Sequence, residues 1–90
     1  MPETLQILRY EYVPDIVERR AEHRAAHLEL IEAFHADGRL VMAGAAGDPV
    51  SYGLLIFRDA DVAKAFAEDD PYVTAGLVTS WTVDPWNVVT

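Results

Sequence analysis

The strand-like runs of this chain are apolar on both of their faces, and that limits its fold more than any other feature. In YGLLIF (52–57), a strand would send Tyr52, Leu54 and Ile56 to one side and Leu55 and Phe57 to the other. In TLQILRYEY (4–12), Leu8, Tyr10 and Tyr12 share one side while Leu5 and Ile7 serve the other. A sheet covered on one face alternates apolar with polar residues, and these runs do not. Two-faced strands need cover on both sides. The chain has only two long helical segments to offer, so the second face predicts a homodimer packed sheet to sheet. Tyr10, Tyr12, Leu55 and other strand residues are the expected carriers of that contact.

The remaining elements follow from local signals. Residues 4–12 read as a strand, broken by Pro14 and Asp15. Asp15 and Glu18 have the spacing of a capping box, and the run from Ile16 to Ala36 holds no glycine or proline, so one helix is expected there. Val17, Ala21, Leu28 and Ile31 recur at helical spacing and form its expected buried stripe. Gly38 of the Asp-Gly pair is the expected C-cap. RLVMAG (39–44) reads as a second strand, AAGDPVS (45–51) as a turn and YGLLIF (52–57) as a third strand. Asp59 can cap a helix over 60–69 with Val62, Ala63, Phe66 and Ala67 on one face, and Pro71 stops it. LVTSWTVDPW (77–86) is a fourth strand. The order βαββαβ is that of a ferredoxin-like α+β fold: a four-stranded antiparallel sheet with two helices on one face. The expectation is one domain over residues 1–90.

Composition removes several functions. A net charge of -8, with one lysine (Lys64) among seven basic residues, suits neither a nucleic-acid backbone nor an anionic membrane. The absence of cysteine excludes disulfides, thiolate catalysis and zinc–thiolate sites. No apolar run reaches the ~20 residues of a membrane span, and MPETLQILRY lacks the pattern of a signal peptide, so a soluble cytoplasmic protein is expected.

All three histidines, His23, His27 and His35, fall in one 13-residue window. On a helix, Arg20, Arg24, His27 and Ile31 share a face. One reading is a solvated face whose arginines pair with Glu18, Glu22 and nearby aspartates. A second is metal: His23 and His27 have the i, i+4 spacing of the zinc helix H-E-x-x-H. Arg24 stands where that motif carries glutamate, and no third ligand is obvious beyond Asp69, Asp70 or His35, so no metal is expected. The third reading pairs His27 with a carboxylate of EDDPYV (68–73), which gives acid–base chemistry near neutrality. An aspartate at a helix C-terminus is disfavoured by the helix dipole. Its presence suggests another task, although a plain helix stop before a turn explains DDPY equally well.

RAAHL (24–28), HADGRLVMAG (35–44) and DPYVTAGLV (70–78), in that order over almost the whole chain, resemble the YCII-related family. The resemblance implies a ferredoxin-like fold and dimers whose sheets pack into an α+β barrel. It implies a histidine–aspartate dyad at His27 and Asp70, an arginine at Arg24, and a further one at Arg20. Members commonly carry proline after the arginine, where this chain has Ala25. The family resemblance also implies an enzyme-like cleft without a cofactor. Most members have no assigned reaction; the best-known is dehydrochlorination of a chlorinated hydroxyhydroquinone. The fold is similar to that of muconolactone isomerase, another cofactor-free barrel.

Two functions are therefore carried forward. In the first, a cofactor-free isomerase or lyase acts on a small anionic or phenolic molecule. His27 moves the proton, Asp70 orients it, Arg24 and Arg20 hold a carboxylate or phenolate, and Tyr72 adds a hydrogen bond. In the second, the dyad is a structural tie within a non-catalytic module that binds a metabolite or serves as a subunit. The openness of the dyad to a pocket separates the two.

Overall fold

The computed structural model describes residues 3–90. Its elements are β1 (Glu3–Tyr12), α1 (Ile16–Arg19), a single 3-10 turn (Arg20–Glu22), α2 (Arg24–Ala36), β2 (Leu40–Ala46), β3 (Tyr52–Phe57), α3 (Ala60–Asp69), α4 (Pro71–Thr74) and β4 (Val78–Val88). The strands form one antiparallel sheet in the order β2-β3-β1-β4. This is the ferredoxin-like α+β arrangement. No helix among the described residues is long and apolar enough to cross a membrane.

The locally signalled elements form where their signals stand. The Asp59 side chain accepts from the N–H groups of Asp61 and Val62 and starts α3. Ala63, Phe66 and Ala67 of that helix are buried, as its expected face requires. Gly38 takes φ 84, the left-handed conformation that ends a helix at little cost to glycine.

The first helical segment departs from expectation. Instead of one helix over Ile16–Ala36 there are two, joined by the 3-10 turn, with His23 at φ -111 between them. Asp15 makes no side-chain cap; its carboxylate lies 3.7 Å from Arg19 instead. The expected stripe is also out of phase. Val17 and Leu28 are 49% and 44% exposed and Ala21 is exposed, while Ile16 and His27 are buried. Nothing in local propensity requires the break. It falls where the chain passes from one core to another: Ile16 packs with Val13, Tyr72 and Leu77, whereas Leu30, Ile31 and Phe34 pack on the main core.

The main core lies between the sheet and the helices. It holds Leu8, Tyr10, Leu40, Leu55, Phe57, Ala63, Phe66 and Ala67. The Phe66 ring lies edge-on to Phe34 at 5.2 Å and tilted against Phe57 at 5.3 Å. Tyr10 and Leu55 are therefore interior, 0% and 2% exposed, and Tyr12 shares their side of the sheet. They do not form the outer face expected of them. The helix-free side is instead apolar through Ile7, Leu54, Ile56, Met42 and Trp86, the last two 60% and 42% exposed, around a depression of about 400 Å³.

Candidate functional site

The site begins with Pro71. Proline disfavours the helical conformation in the residue before it, so Asp70 is extended, at φ -67 and ψ 124, and α3 stops. The same proline occupies the first turn of α4, where its missing N–H costs nothing. Asp70 is then the N-cap of α4, and its Oδ1 accepts from the Tyr72 N–H at 3.0 Å. DDPY is thus more than a plain stop, although Asp70 also closes the C-terminal end of α3. It is the junction of two helices, with a carboxylate at the end that favours one.

Asp70 is 0% exposed, and two further side chains reach it. The Tyr10 hydroxyl donates to Oδ2 at 2.7 Å. His27 Nδ1 lies 2.8 Å from Oδ1 and donates when the proton is on that nitrogen. A carboxylate only accepts, and here it faces three groups that can donate, from β1, α2 and α4. The His27 ring is clamped from one side by Tyr72, stacked at 3.7 Å and 8°. Its Nε2 has no side-chain hydrogen bond among the described residues and is the atom left for a ligand.

His27 lines a cleft of about 360 Å³ walled by Leu28, Ile31, Val50 and Leu55, with Arg20, Arg24, Tyr12 and Tyr72 as its other polar groups. The five residues expected in the site, His27, Asp70, Arg24, Arg20 and Tyr72, are thus brought together, with Asp70 behind His27. The arginines do not pair with Glu18 or Glu22. Among the described residues no carboxylate lies within 4.0 Å of Arg20 or Arg24. Glu22 instead lies 3.9 Å from His23. His23 precedes α2 and is partly exposed, whereas His27 is buried, and His35 is exposed on α2. Among the described residues there is no cluster of three or more His, Cys, Asp or Glu side chains arranged to hold a metal ion.

The tyrosines around Asp70 are perturbed. Burial pushes the Tyr10 phenol well above its ordinary range, and the Asp70 charge adds to the effect. Tyr12 is pushed up to about 12, chiefly by burial and by neighbouring Tyr72 and Asp70, against Arg20 and Arg24. Burial also raises Tyr72, opposed by Arg24 and Arg20. Among the described residues the Tyr72 hydroxyl is buried without a hydrogen-bond partner, and Arg24 lies near it. Tyr10 and Tyr12 are the site residues that sequence reasoning missed. Their shared parity with Leu8 was the available signal, since it places them on whichever side Leu8 takes.

These shifts make an alkaline prediction. An unfolded tyrosine ionises near pH 10, whereas folded Tyr10 and Tyr12 hold their protons to higher pH, so above about pH 10 the unfolded state binds fewer protons. Stability is fully present below that pH and declines as pH rises through about 12. Each buried tyrosine contributes at most about 1.4 kcal/mol per pH unit, and half-buried Tyr12 less than Tyr10. Urea unfolding across this range should show a shallower decline for Tyr10→Phe than for the native chain. An identical decline in both would rule out the Tyr10 contribution.

A family model described as the YCII-related domain matches residues 5–87. The chain is 35% identical over 86 residues to Protein YciI of Escherichia coli O6:H1, covering 83% of this chain and 88% of that protein. It is 31% identical over 88 residues to an uncharacterized protein of Haemophilus influenzae, covering 86% and 90%. Among solved structures it is similar to the 5-chloro-2-hydroxyhydroquinone dehydrochlorinase of Burkholderia phenoliruptrix AC1100 in complex with 2,5-dihydroxybenzoquinone. That match has a TM-score of 0.74 and 25% identity, and covers 91% of this chain and 92% of the other.

Proposed function

Because the chain belongs to the family of YCII-related domains, we propose that it is a small enzyme of the isomerase or lyase type, acting without a cofactor on a one-ring anionic or phenolic molecule. The observation that carries this reading is a single juxtaposition. An imidazole held on Nδ1 by a fully buried carboxylate lines the same cleft as two guanidiniums that have no carboxylate partner among the described residues. In the reaction, His27 Nε2 takes a proton from the substrate. Asp70 holds the ring and stabilises the imidazolium that forms. Arg24 and Arg20 hold the carboxylate or phenolate, and Tyr72 adds a hydrogen bond. Elimination fits this equipment: a proton and a halide leave one ring, no electrons are exchanged with a partner, and the base needs no metal. The dehydrochlorinase with a similar fold, solved with a quinone, lends weight to that class of substrate.

The second reading keeps the cleft and removes the chemistry. Asp70 also caps α4 and ties β1 to the helical layer through Tyr10, so its burial has a structural use whatever His27 does. Thermal-shift screening of hydroxylated and chlorinated one-ring aromatics, on the native chain and His27→Ala in parallel, separates the two. The enzyme reading expects a ligand that stabilises the native chain, shifts little in His27→Ala, and is consumed by the native chain alone. A ligand that stabilises both equally and is never consumed supports the binding module.

The same reading includes a cytoplasmic homodimer. The helix-free side of the sheet supports it: Ile7, Leu54, Ile56, Met42 and Trp86 form an apolar surface, and a second copy offers the same surface in return.

A further inference from the structure

Two phenol hydroxyls and two guanidiniums converge on the cleft. Among the described residues, none of the four makes a side-chain hydrogen bond or ion pair. We propose that Tyr12 is a further ligand-binding residue. Its hydroxyl, with Arg20 and Arg24, selects a ring bearing an ionised oxygen, and Gly53 positions it. This rests on the reading of the cleft as a ligand site and goes beyond it by naming a selecting residue.

The placement of Tyr12 is tightly determined. Its ring stands edge-on to Tyr10 at 6.2 Å and to Tyr72 at 6.4 Å. The third boundary is Gly53 on β3. A Cβ built there would collide with the Tyr12 hydroxyl and lie 3.0 Å from its Cζ. Gly53 has no positive φ, so the backbone does not call for glycine; the ring does. Glycine inside a strand weakens it and marks a close approach. Gly53 is buried on an inner strand, paired with Tyr10 on one side and Ala45 on the other.

Packing alone does not account for the hydroxyl. Phenylalanine would fill the same space without bringing an unpartnered oxygen into the cleft. Nearby, the Tyr72 hydroxyl is buried, on a residue 2% exposed, and has no partner among the described residues either. Both phenols stay protonated at neutral pH, because burial raises them. The pocket therefore offers two guanidiniums and phenol O–H donors, and no carboxylate lines it. A carboxylate or phenolate oxygen meets all of them. A carboxamide carries no charge for Arg20 and Arg24 to meet, and its hydrogen bonds to them are weaker than those of a carboxylate.

Salicylate and salicylamide test this, since they differ by one charged oxygen. Binding would be measured by calorimetry, and occupancy of the cleft by the NMR signals of the His27 ring. The native chain should prefer salicylate. Tyr12→Phe should lower salicylate affinity by roughly tenfold, the worth of a hydrogen bond to a charged group, and salicylamide affinity by clearly less. Gly53→Ala should act in the same direction and add little in a Tyr12→Phe background. Tyr12→Phe keeps the ring and serves if Gly53→Ala does not fold. If both probes shift His27 but Tyr12→Phe weakens them equally or not at all, the Tyr12 assignment falls and the ligand cleft stands. If neither probe binds or moves the His27 signals, both fall together.

Discussion

Asp70→Ala is expected to destabilise the fold by about 3–5 kcal/mol, because it leaves several buried donors without an acceptor. The Tyr10 hydroxyl, the Tyr72 N–H and His27 Nδ1 all lose their partner at a position that is 0% exposed. For a chain this short, that is a large share of a total of roughly 5–15 kcal/mol. Asp70→Asn should cost less, about 1–2 kcal/mol. Its amide oxygen can still accept from Tyr72, and the Tyr10 hydroxyl can rotate to accept from the amide nitrogen. The paired variants separate structure from chemistry. Asn should preserve most of the fold in denaturant unfolding and yet abolish any turnover found, because the imidazolium no longer has a negative partner. Turnover at the native rate in Asp70→Asn would show that the carboxylate does nothing beyond packing.

Leu54→Glu is expected to convert a dimer into monomers. Leu54 sits on the helix-free side of β3, between β1 and β2, at the depression with Ile7, Ile56, Met42 and Trp86. It is half-buried in the single chain, so a carboxylate there stays wetted in the monomer. Against a second sheet the charge would be buried without a partner. That costs roughly 3–5 kcal/mol, or a weakening of dimerisation by hundreds- to thousands-fold. Light scattering should read twice the 10.0 kDa chain mass for the native protein at micromolar concentration and the chain mass for the variant. A native chain that scatters as a monomer would dispose of the sheet-to-sheet dimer.

Helix α3 was legible to the residue, because its cap Asp59 and the stop at Pro71 are local. The break at His23 was not, since 16–36 contains no residue that breaks a helix; the two cores on which its halves pack are what divide it. The site was half legible. Helical spacing placed Arg20, Arg24 and His27 near one another, and the resemblance supplied Asp70. From the residues alone, DDPY read equally well as a plain helix stop. Tyr10 reaches Asp70 across 60 positions, and that pairing depends on how β1 lies beneath the helices.

By itself the sequence determined which residues share a side: Leu8, Tyr10 and Tyr12 on one, Leu5 and Ile7 on the other, because strand side chains alternate with a period of two. It also determined that the chain is acidic, has no thiol and carries apolar residues on both sheet faces. Only the tertiary structure decided which side meets the helices. Both sides are apolar enough to be buried, so alternation fixes the grouping but not its direction. The helices settled on the tyrosine side. That choice moved Tyr10 and Tyr12 from an expected dimer contact into the site, and left Ile7, Leu54 and Ile56 facing outward.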